Sequence, residues 1–143
     1  MERKQRKHWS AKLSPLGACN NAVAWAATQP SATVAWRECK RGDWMLWLCG
    51  KLSGEPESES RRKLVLAACA CARLSLHHVK ASEFRPLRAI ETAEAWARGD
   101  AGVTLEEVRT AAYAAAYLAA YAAAYAKCAD IVRAHYPKAP RLP

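Results

Sequence analysis

The sequence lacks the short motifs that mark the common catalytic and cofactor sites. It contains no CxxC or HExxH metal motif, no glycine-rich phosphate loop and no GxSxG nucleophile elbow. Glycine and proline are also scarce, at 6 and 7 of 143 residues, which excludes collagen and low-complexity linker as descriptions of the chain. We therefore expect a globular, non-enzymatic protein with no catalytic residue, no bound metal and no cofactor.

The sequence also lacks an apolar run long enough for a secretory signal or a membrane span. Residues 1–9 are polar and basic. Residues 111–126 carry no charge, but this stretch is shorter than the ~20 residues that a spanning helix needs, and it contains four tyrosines. We expect a cytoplasmic protein with no membrane partner, whose six cysteines are reduced.

Acidic residues are few, and the resulting positive charge lies mainly at the two ends of the chain. Lys and Arg number 22 against 13 Asp and Glu, so the net charge is +9. Residues 1–12 carry +4 and residues 127–143 carry +3, which leaves +2 for the rest. Basic ends attract acidic surfaces over long distances without reading bases. We expect a basic N-terminal arm over 1–12, a helical domain over 13–137 and a C-terminal tail over 138–143.

Helix signals follow one another along the whole domain. Ser14 with Pro15 is typical of a helix start, Asp43 of an N-cap, and Thr104 with Glu107 of a capping box. The sequence predicts an all-α fold, a single compact bundle of about six helices that ends in one long Ala/Tyr-rich helix. The expected helices cover residues 15–28, 31–41, 44–52, 61–79, 86–98 and 104–136, and the fourth is expected at the centre.

The last helix carries a ridge of tyrosines among alanines. Tyr113, Tyr117, Tyr121 and Tyr125 are four residues apart, so they lie on one side of the helix. The alanines between them let a neighbouring helix approach closely. We expect this ridge to pack within the domain, and a homodimer through it stays open as the alternative.

Two glutamates share one face of the helix predicted over 86–98. Glu91 and Glu94 would suit a bundle metal site only with a Glu-x-x-His motif, which the chain lacks. Glu94 lies close to the apolar stripe of that helix, so a buried carboxylate there needs a cationic partner. We expect a structural polar network rather than catalysis, formed by Arg73, Arg88, Glu91 and Glu94.

The chain has six tryptophans, which is many for its length. Large aromatic side chains lie more often in a core than around a ligand. Trp9 differs because it lies in the basic arm, where it either anchors to a partner or lies on the body. We expect the other five chiefly in the core: Trp25, Trp36, Trp44, Trp47 and Trp96.

Three segments of the chain resemble one known family. They cover residues 36–48 (WRECKRGDWMLWL), 62–74 (RKLVLAACACARL) and 85–99 (RPLRAIETAEAWARG). Together with the Ala-rich tract and the closing CADIVR at 128–133, they are similar to the immunity protein family of bacterial polymorphic toxin systems, over residues 18–137. The resemblance implies an all-α, non-enzymatic protein that binds and neutralises a partner toxin and that phages also carry.

The resemblance implies a binding role without a catalytic site. Since the ends are basic and the body is nearly neutral, we expect a protein partner with an acidic surface. A phage-encoded inhibitor of a host defence complex and a nucleic-acid-binding module that uses the basic arms stay open as alternatives. Arginine and tryptophan are frequent hot-spot residues of interfaces. The candidate partner-binding residues are Arg3, Lys4, Arg6, Lys7, Trp9, Arg41, Asp43 and Trp44.

Overall fold

The structure of the chain, a computed structural model, describes residues 5–78, 80–100, 102–108 and 125–143. All regular elements in these ranges are helical, which confirms the all-α prediction for them. Residues 105–108 are helical as well. The α-helices are α1 (Asn20–Ala27), α2 (Ala32–Glu38), α3 (Gly42–Leu52), α4 (Glu59–Arg73), α5 (Arg85–Ala97) and α6 (Tyr125–His135), with short 3-10 helices at Trp9–Lys12, Ser14–Leu16 and Leu76–His78.

Side-chain caps begin three of the helices, where the sequence provides serine or threonine. The hydroxyls of Ser31 and Ser58 each accept a hydrogen bond from the N–H three residues further on, at 3.2 and 3.3 Å. At the start of the helical segment 105–108, Thr104 Oγ1 accepts a hydrogen bond from the Glu107 N–H, and the Glu107 carboxylate accepts one from the Thr104 N–H. The predicted capping box is therefore confirmed, and each bond satisfies a donor that a first helical turn leaves free.

The structure differs from three of the helix predictions. Gly17 has a φ of 91°, in the left-handed region, and it separates the preceding 3-10 turn from α1, so the first predicted helix is divided. Asp43 is not an N-cap, because α3 begins at Gly42 and the Asp43 side chain binds Arg41 instead. α4 ends at Arg73 rather than near residue 79, because the next two N–H groups bond to carbonyls three positions back and tighten the last turn.

α4 is the central helix, as its alanine-rich apolar run predicts. It packs against α5 and also against α3 and α6, and Ala67 on it is fully buried. Two apolar clusters result from this arrangement. The first joins α2, α3, α4 and α6 through Trp36, Met45, Cys49, Cys71, Cys128, Ala129 and Val132, and the second joins α4 and α5 through Cys69, Ile90, Ala93 and Trp96.

Close backbone contact fixes α6 against α2 and α3. Gly42 faces the α6 backbone so closely that a methyl group on its Cα would lie 2.6 Å from the Ala129 nitrogen. Arg133 Nη1 donates hydrogen bonds to the carbonyls of Trp36 and Cys39, at 3.1 and 2.6 Å. These are carbonyls that the end of α2 leaves free. The last described helix is therefore anchored to the first half of the chain.

Both ends of the described chain pack onto the domain. The Trp9 indole N–H donates to the Gln29 carbonyl at 2.9 Å. At the other end, the Trp36 indole N–H donates to the Tyr136 carbonyl at 2.8 Å, and Ala139 packs against the first cluster. Trp9 of the predicted arm and Ala139 of the predicted tail thus both contact the folded body.

About half of the predicted long last helix, residues 109–124, lies outside the described residues. Residues 105–108 and the α6 segment are helical, while Tyr113, Tyr117 and Tyr121 lie outside the described residues. Tyr125 is described, and the Arg41 guanidinium lies 4.6 Å from the centre of its ring. That contact places this tyrosine of the ridge against the domain.

Candidate functional site

An apolar groove of about 510 Å³ opens between α1, α2, α3 and the C-terminal tail. Its volume lies within the ~300–1,000 Å³ that is typical of ligand sites. Residues near both ends of the chain meet here, because Leu13 and Leu142 line the same space. Five of the six tryptophans also line this space, which we call the tryptophan groove: Trp9, Trp25, Trp36, Trp44 and Trp47.

The tryptophan groove forms because α3 is apolar on nearly every side. Met45 and Cys49 are buried in the first cluster, so the remaining apolar side of α3 is left to face the groove. Trp44 and Trp47 lie half-buried on that side. Trp25 of α1 lies opposite, with its ring centre 6.2 Å from that of Trp44 and the two rings tilted by 48°. Indole rings from α1 and α3 therefore face each other in one part of the groove.

Of the five tryptophans expected in the core, two are fully buried there. Trp36 and Trp96 are 6% and 4% exposed. Trp25, Trp44 and Trp47 are only half-buried, and Trp25 and Trp44 pack against the first cluster while they also line the groove. The physical reason is that the lining contributed by α1 and α2 is rich in alanine, and methyl groups are too small to cover the indole rings.

Arg41 and Asp43 are the charged side chains that the described residues contribute to the groove lining. The guanidinium donates to both carboxylate oxygens, from Nε to Oδ1 at 2.9 Å and from Nη2 to Oδ2 at 2.8 Å. This bidentate hydrogen bond is the main cause that raises the pKa of Arg41. The same guanidinium lies 4.3 Å from the centre of the Trp44 ring. The pair provides one oriented polar point on an otherwise apolar surface.

Positive charge surrounds the tryptophan groove. Residues 5–52 and 136–143 carry nine Lys and Arg against two acidic residues, which gives +7 of the total charge of +9. Both acidic side chains are already paired with neighbouring arginines. Four exposed cations stand next in sequence to groove-lining residues, and no described residue forms an ion pair with any of them: Lys12, Lys40, Lys138 and Arg141. The two basic ends of the sequence thus meet around one groove.

No family model, curated protein or solved structure matches this chain. The resemblance to the immunity protein family therefore stays a prediction. Within the described ranges, no helix is long and apolar enough to cross a membrane. The same ranges hold no group of three or more His, Cys, Asp or Glu side chains that could bind a metal ion. The geometry of the groove itself is what supports a functional assignment.

Four of the predicted partner-binding residues line the tryptophan groove: Trp9, Arg41, Asp43 and Trp44. Arg6 and Lys7 are exposed on the segment that leads into the groove. Lys7 also lines a second hollow of about 430 Å³, together with Pro143 at the other end of the chain. Arg3 and Lys4 lie outside the described residues. The predicted set therefore includes one groove cluster and one exposed basic segment.

Glu94 is the centre of the predicted polar network. Its Oε1 accepts a hydrogen bond from Arg73 Nε at 2.6 Å, and its Oε2 accepts one from Arg98 Nη2 at 3.1 Å. Glu94 is 9% exposed, so the two guanidinium groups compensate for its burial. Arg88 and Glu91 are exposed, and no described residue forms an ion pair with either. The network is therefore the Glu94 cluster of Glu94, Arg73 and Arg98, and it links α4 to α5.

The six cysteines are free thiols that differ in access. Five are buried, and desolvation raises the pKa of Cys49 and that of Cys69 to about 11. Cys19 is exposed and lines the tryptophan groove. Because thiol reagents need access, the modification rate of Cys19 reports on whether the groove is occupied.

Sequence reasoning missed several groove residues, among them Trp47 and Cys19, and it missed the tail residues Pro140 and Leu142. One available signal is that five of the six tryptophans fall within residues 9–47, beside stretches rich in alanine. The tail gives no such signal, because an irregular segment between prolines has no periodicity to read.

Proposed function

We propose that this chain is a non-enzymatic interaction protein, similar to an immunity protein, that binds and neutralises a toxin or other effector protein in the cytoplasm. The observation that carries the proposal is the tryptophan groove. Trp, Tyr and Arg dominate the binding energy of most protein interfaces. The groove combines several half-buried tryptophans with Arg41 and the adjacent Tyr125 ring.

The charge around the tryptophan groove favours a partner with an acidic contact surface. Complementary charge speeds the encounter of two proteins and fixes their orientation, and like charge rejects a wrong partner. The +7 on the groove segments would repel a basic surface such as the active site of a nuclease. A partner that is apolar at the centre of its contact surface and acidic around it fits this groove best.

Single-stranded nucleic acid is the second candidate partner, because basic grooves with aromatic side chains also stack bases. Phosphates would need free cations inside the groove. Arg41 is already bound to Asp43 through two hydrogen bonds, and the exposed lysines stand beside the lining rather than in it. These two observations favour a protein partner. Binding of a mixed-sequence oligonucleotide that weakens steeply as salt rises would favour nucleic acid instead.

Co-expression with the product of the adjacent gene tests the proposed function. The adjacent gene is the right choice because members of the resembled family are assigned from their gene neighbourhood. We expect the two proteins to copurify as a complex of fixed stoichiometry, and we expect this chain to restore the growth of cells that the adjacent product harms. A monodisperse monomer that neither binds nor protects would contradict the proposal.

A further inference from the structure

The shape of the tryptophan groove suits a protruding segment of a partner better than a flat surface. Large indole rings from α1, α2 and α3 line the groove, and small methyl groups lie among them, for example those of Ala22 and Ala32. These small side chains leave open space beside the rings, within a groove of about 510 Å³. A cleft of this form accepts bulky apolar side chains as anchors.

The chain's own tail and a second copy of the chain are the poorer occupants. The tail already forms one wall through Pro140 and Leu142, and the hydrogen bond from the Trp36 indole to the Tyr136 carbonyl holds it there. A second copy would bring the same net charge of +7 against itself, and like charges repel at short distance. A partner of opposite charge has neither difficulty.

We propose that the tryptophan groove binds one segment of the partner protein in which large apolar side chains are flanked by Asp or Glu. This inference rests on the proposed function and names the chemistry that the groove recognises. The apolar side chains enter among the indole rings. The flanking carboxylates meet the exposed cations that surround the groove and have no described partner: Lys12, Lys40, Lys138 and Arg141.

Selection from an unbiased library tests the chemistry of the segment. Short random peptides displayed on phage are selected on the immobilised full chain, and the enriched sequences are read. We expect enriched peptides that carry a net negative charge and at least two of Trp, Phe, Leu, Ile or Met. Enrichment of neutral or basic peptides, or no enrichment above a blank surface, would overturn the inference.

A matched pair of substitutions on α1 tests the location. Ala22 lines the groove, and Ala24 is exposed and lies outside the lining. We expect Ala22→Asp, which places a carboxylate in the groove, to weaken binding of the best enriched peptide about tenfold or more. Ala24→Asp adds the same charge elsewhere and should change the Kd by less than about twofold. Equal effects of the two would place the peptide outside the groove.

The thiol of Cys19 provides a second readout that does not depend on a variant. A saturating amount of the best enriched peptide should slow alkylation of Cys19 by N-ethylmaleimide about tenfold, because Cys19 lines the groove. An unchanged alkylation rate with the peptide bound would place the peptide elsewhere and overturn the inference.

Two charge reversals test whether local charge or total charge attracts the acidic residues. The double variant Lys138→Glu with Arg141→Glu changes the tail beside the groove. The matched control Lys80→Glu with Arg88→Glu makes the same change in net charge at exposed positions outside the groove segments. We expect the first to weaken peptide binding at least about tenfold and the control far less. Equal weakening would show that total charge alone attracts the peptide.

The peptide result and the co-expression result can fail separately. If the adjacent product is neutralised but the selected peptides are basic, the proposed function stands and the inference about the segment is wrong. If acidic apolar peptides occupy the groove but no protein is neutralised, the groove chemistry stands and the proposed function is wrong.

Discussion

Replacement of Gly42 by alanine tests the close contact between α3 and α6. A methyl group at this position would lie 2.6 Å from both the Ala129 nitrogen and the Cys128 carbonyl carbon. Both atoms belong to the backbone of α6, so no flexible side chain can move aside. We therefore expect Gly42→Ala to push α6 away from α3 and to disturb the first apolar cluster.

The size of the effect follows from two opposing terms. Overpacking of a well-packed contact costs about 1–3 kcal/mol, and an alanine in place of a helical glycine contributes about 0.5–1 kcal/mol of stability. The second term is small here because Gly42 is the first residue of α3. We expect a net loss of about 1–3 kcal/mol, which corresponds to a clear shift in the urea midpoint.

Gly50 provides the matched control on the same helix. A methyl group there would lie 3.7 Å from Leu64 Cδ2, an ordinary contact distance, so Gly50→Ala should be neutral or stabilising by up to about 1 kcal/mol. Both variants are unfolded in urea and followed by far-UV circular dichroism and tryptophan fluorescence. Gly42→Ala as stable as the wild type, or no less stable than Gly50→Ala, would refute the described approach of α6 to α3.

Three further predictions concern thiols and ion pairs. In the native protein at about pH 8, N-ethylmaleimide should modify Cys19 fast and the other five thiols only in denaturant; a second fast thiol would contradict the burial. The free energy of unfolding should fall as the pH rises from 9 towards 11, because burial raises the pKa of Cys49 and of Cys69 to about 11, so the thiols ionise first in the unfolded chain. When Cys49 and Cys69 are both replaced by alanine, urea titrations should show that the free energy of unfolding depends less on pH. An unchanged dependence on pH would contradict ionisation of these two thiols as the cause. Glu94→Gln should lower the free energy of unfolding by about 1 kcal/mol. Replacing both Arg73 and Arg98 by alanine should lower it by about 3–5 kcal/mol, because this leaves a buried carboxylate unpaired. Equal losses for the two variants in urea titrations would contradict this difference.

The parts of the fold that sequence reasoning predicts are those with local signals. The helix predicted from residue 31 does start there, with Ser31 as its cap, and the reciprocal hydrogen bonds of Thr104 and Glu107 form as the spacing predicts. The break at Gly17 is harder to predict, because a glycine is tolerated inside a helix and only the backbone angle reveals its left-handed conformation. Asp43 suits both an N-cap and an ion pair, and the neighbouring arginine decides between them.

The candidate site is less predictable because it depends on what lies opposite each ring. Trp36 and Trp44 both line the groove and lie only eight residues apart, but the first is buried and the second is half-buried. The difference arises from the alanines of α1 and α2 and from the return of the tail past Pro137. The convergence of the two basic ends around one groove likewise requires a long-range contact that no local pattern encodes.

Growth protection measured with the α1 substitutions tests most directly whether the protein acts through its tryptophan groove. The wild type, Ala22→Asp and Ala24→Asp are each co-expressed with the product of the adjacent gene, at matched levels of folded protein. We predict that the wild type and Ala24→Asp protect the cells and that Ala22→Asp does not. Equal protection by all three, or protection by none, would contradict a role for the groove in neutralising that partner.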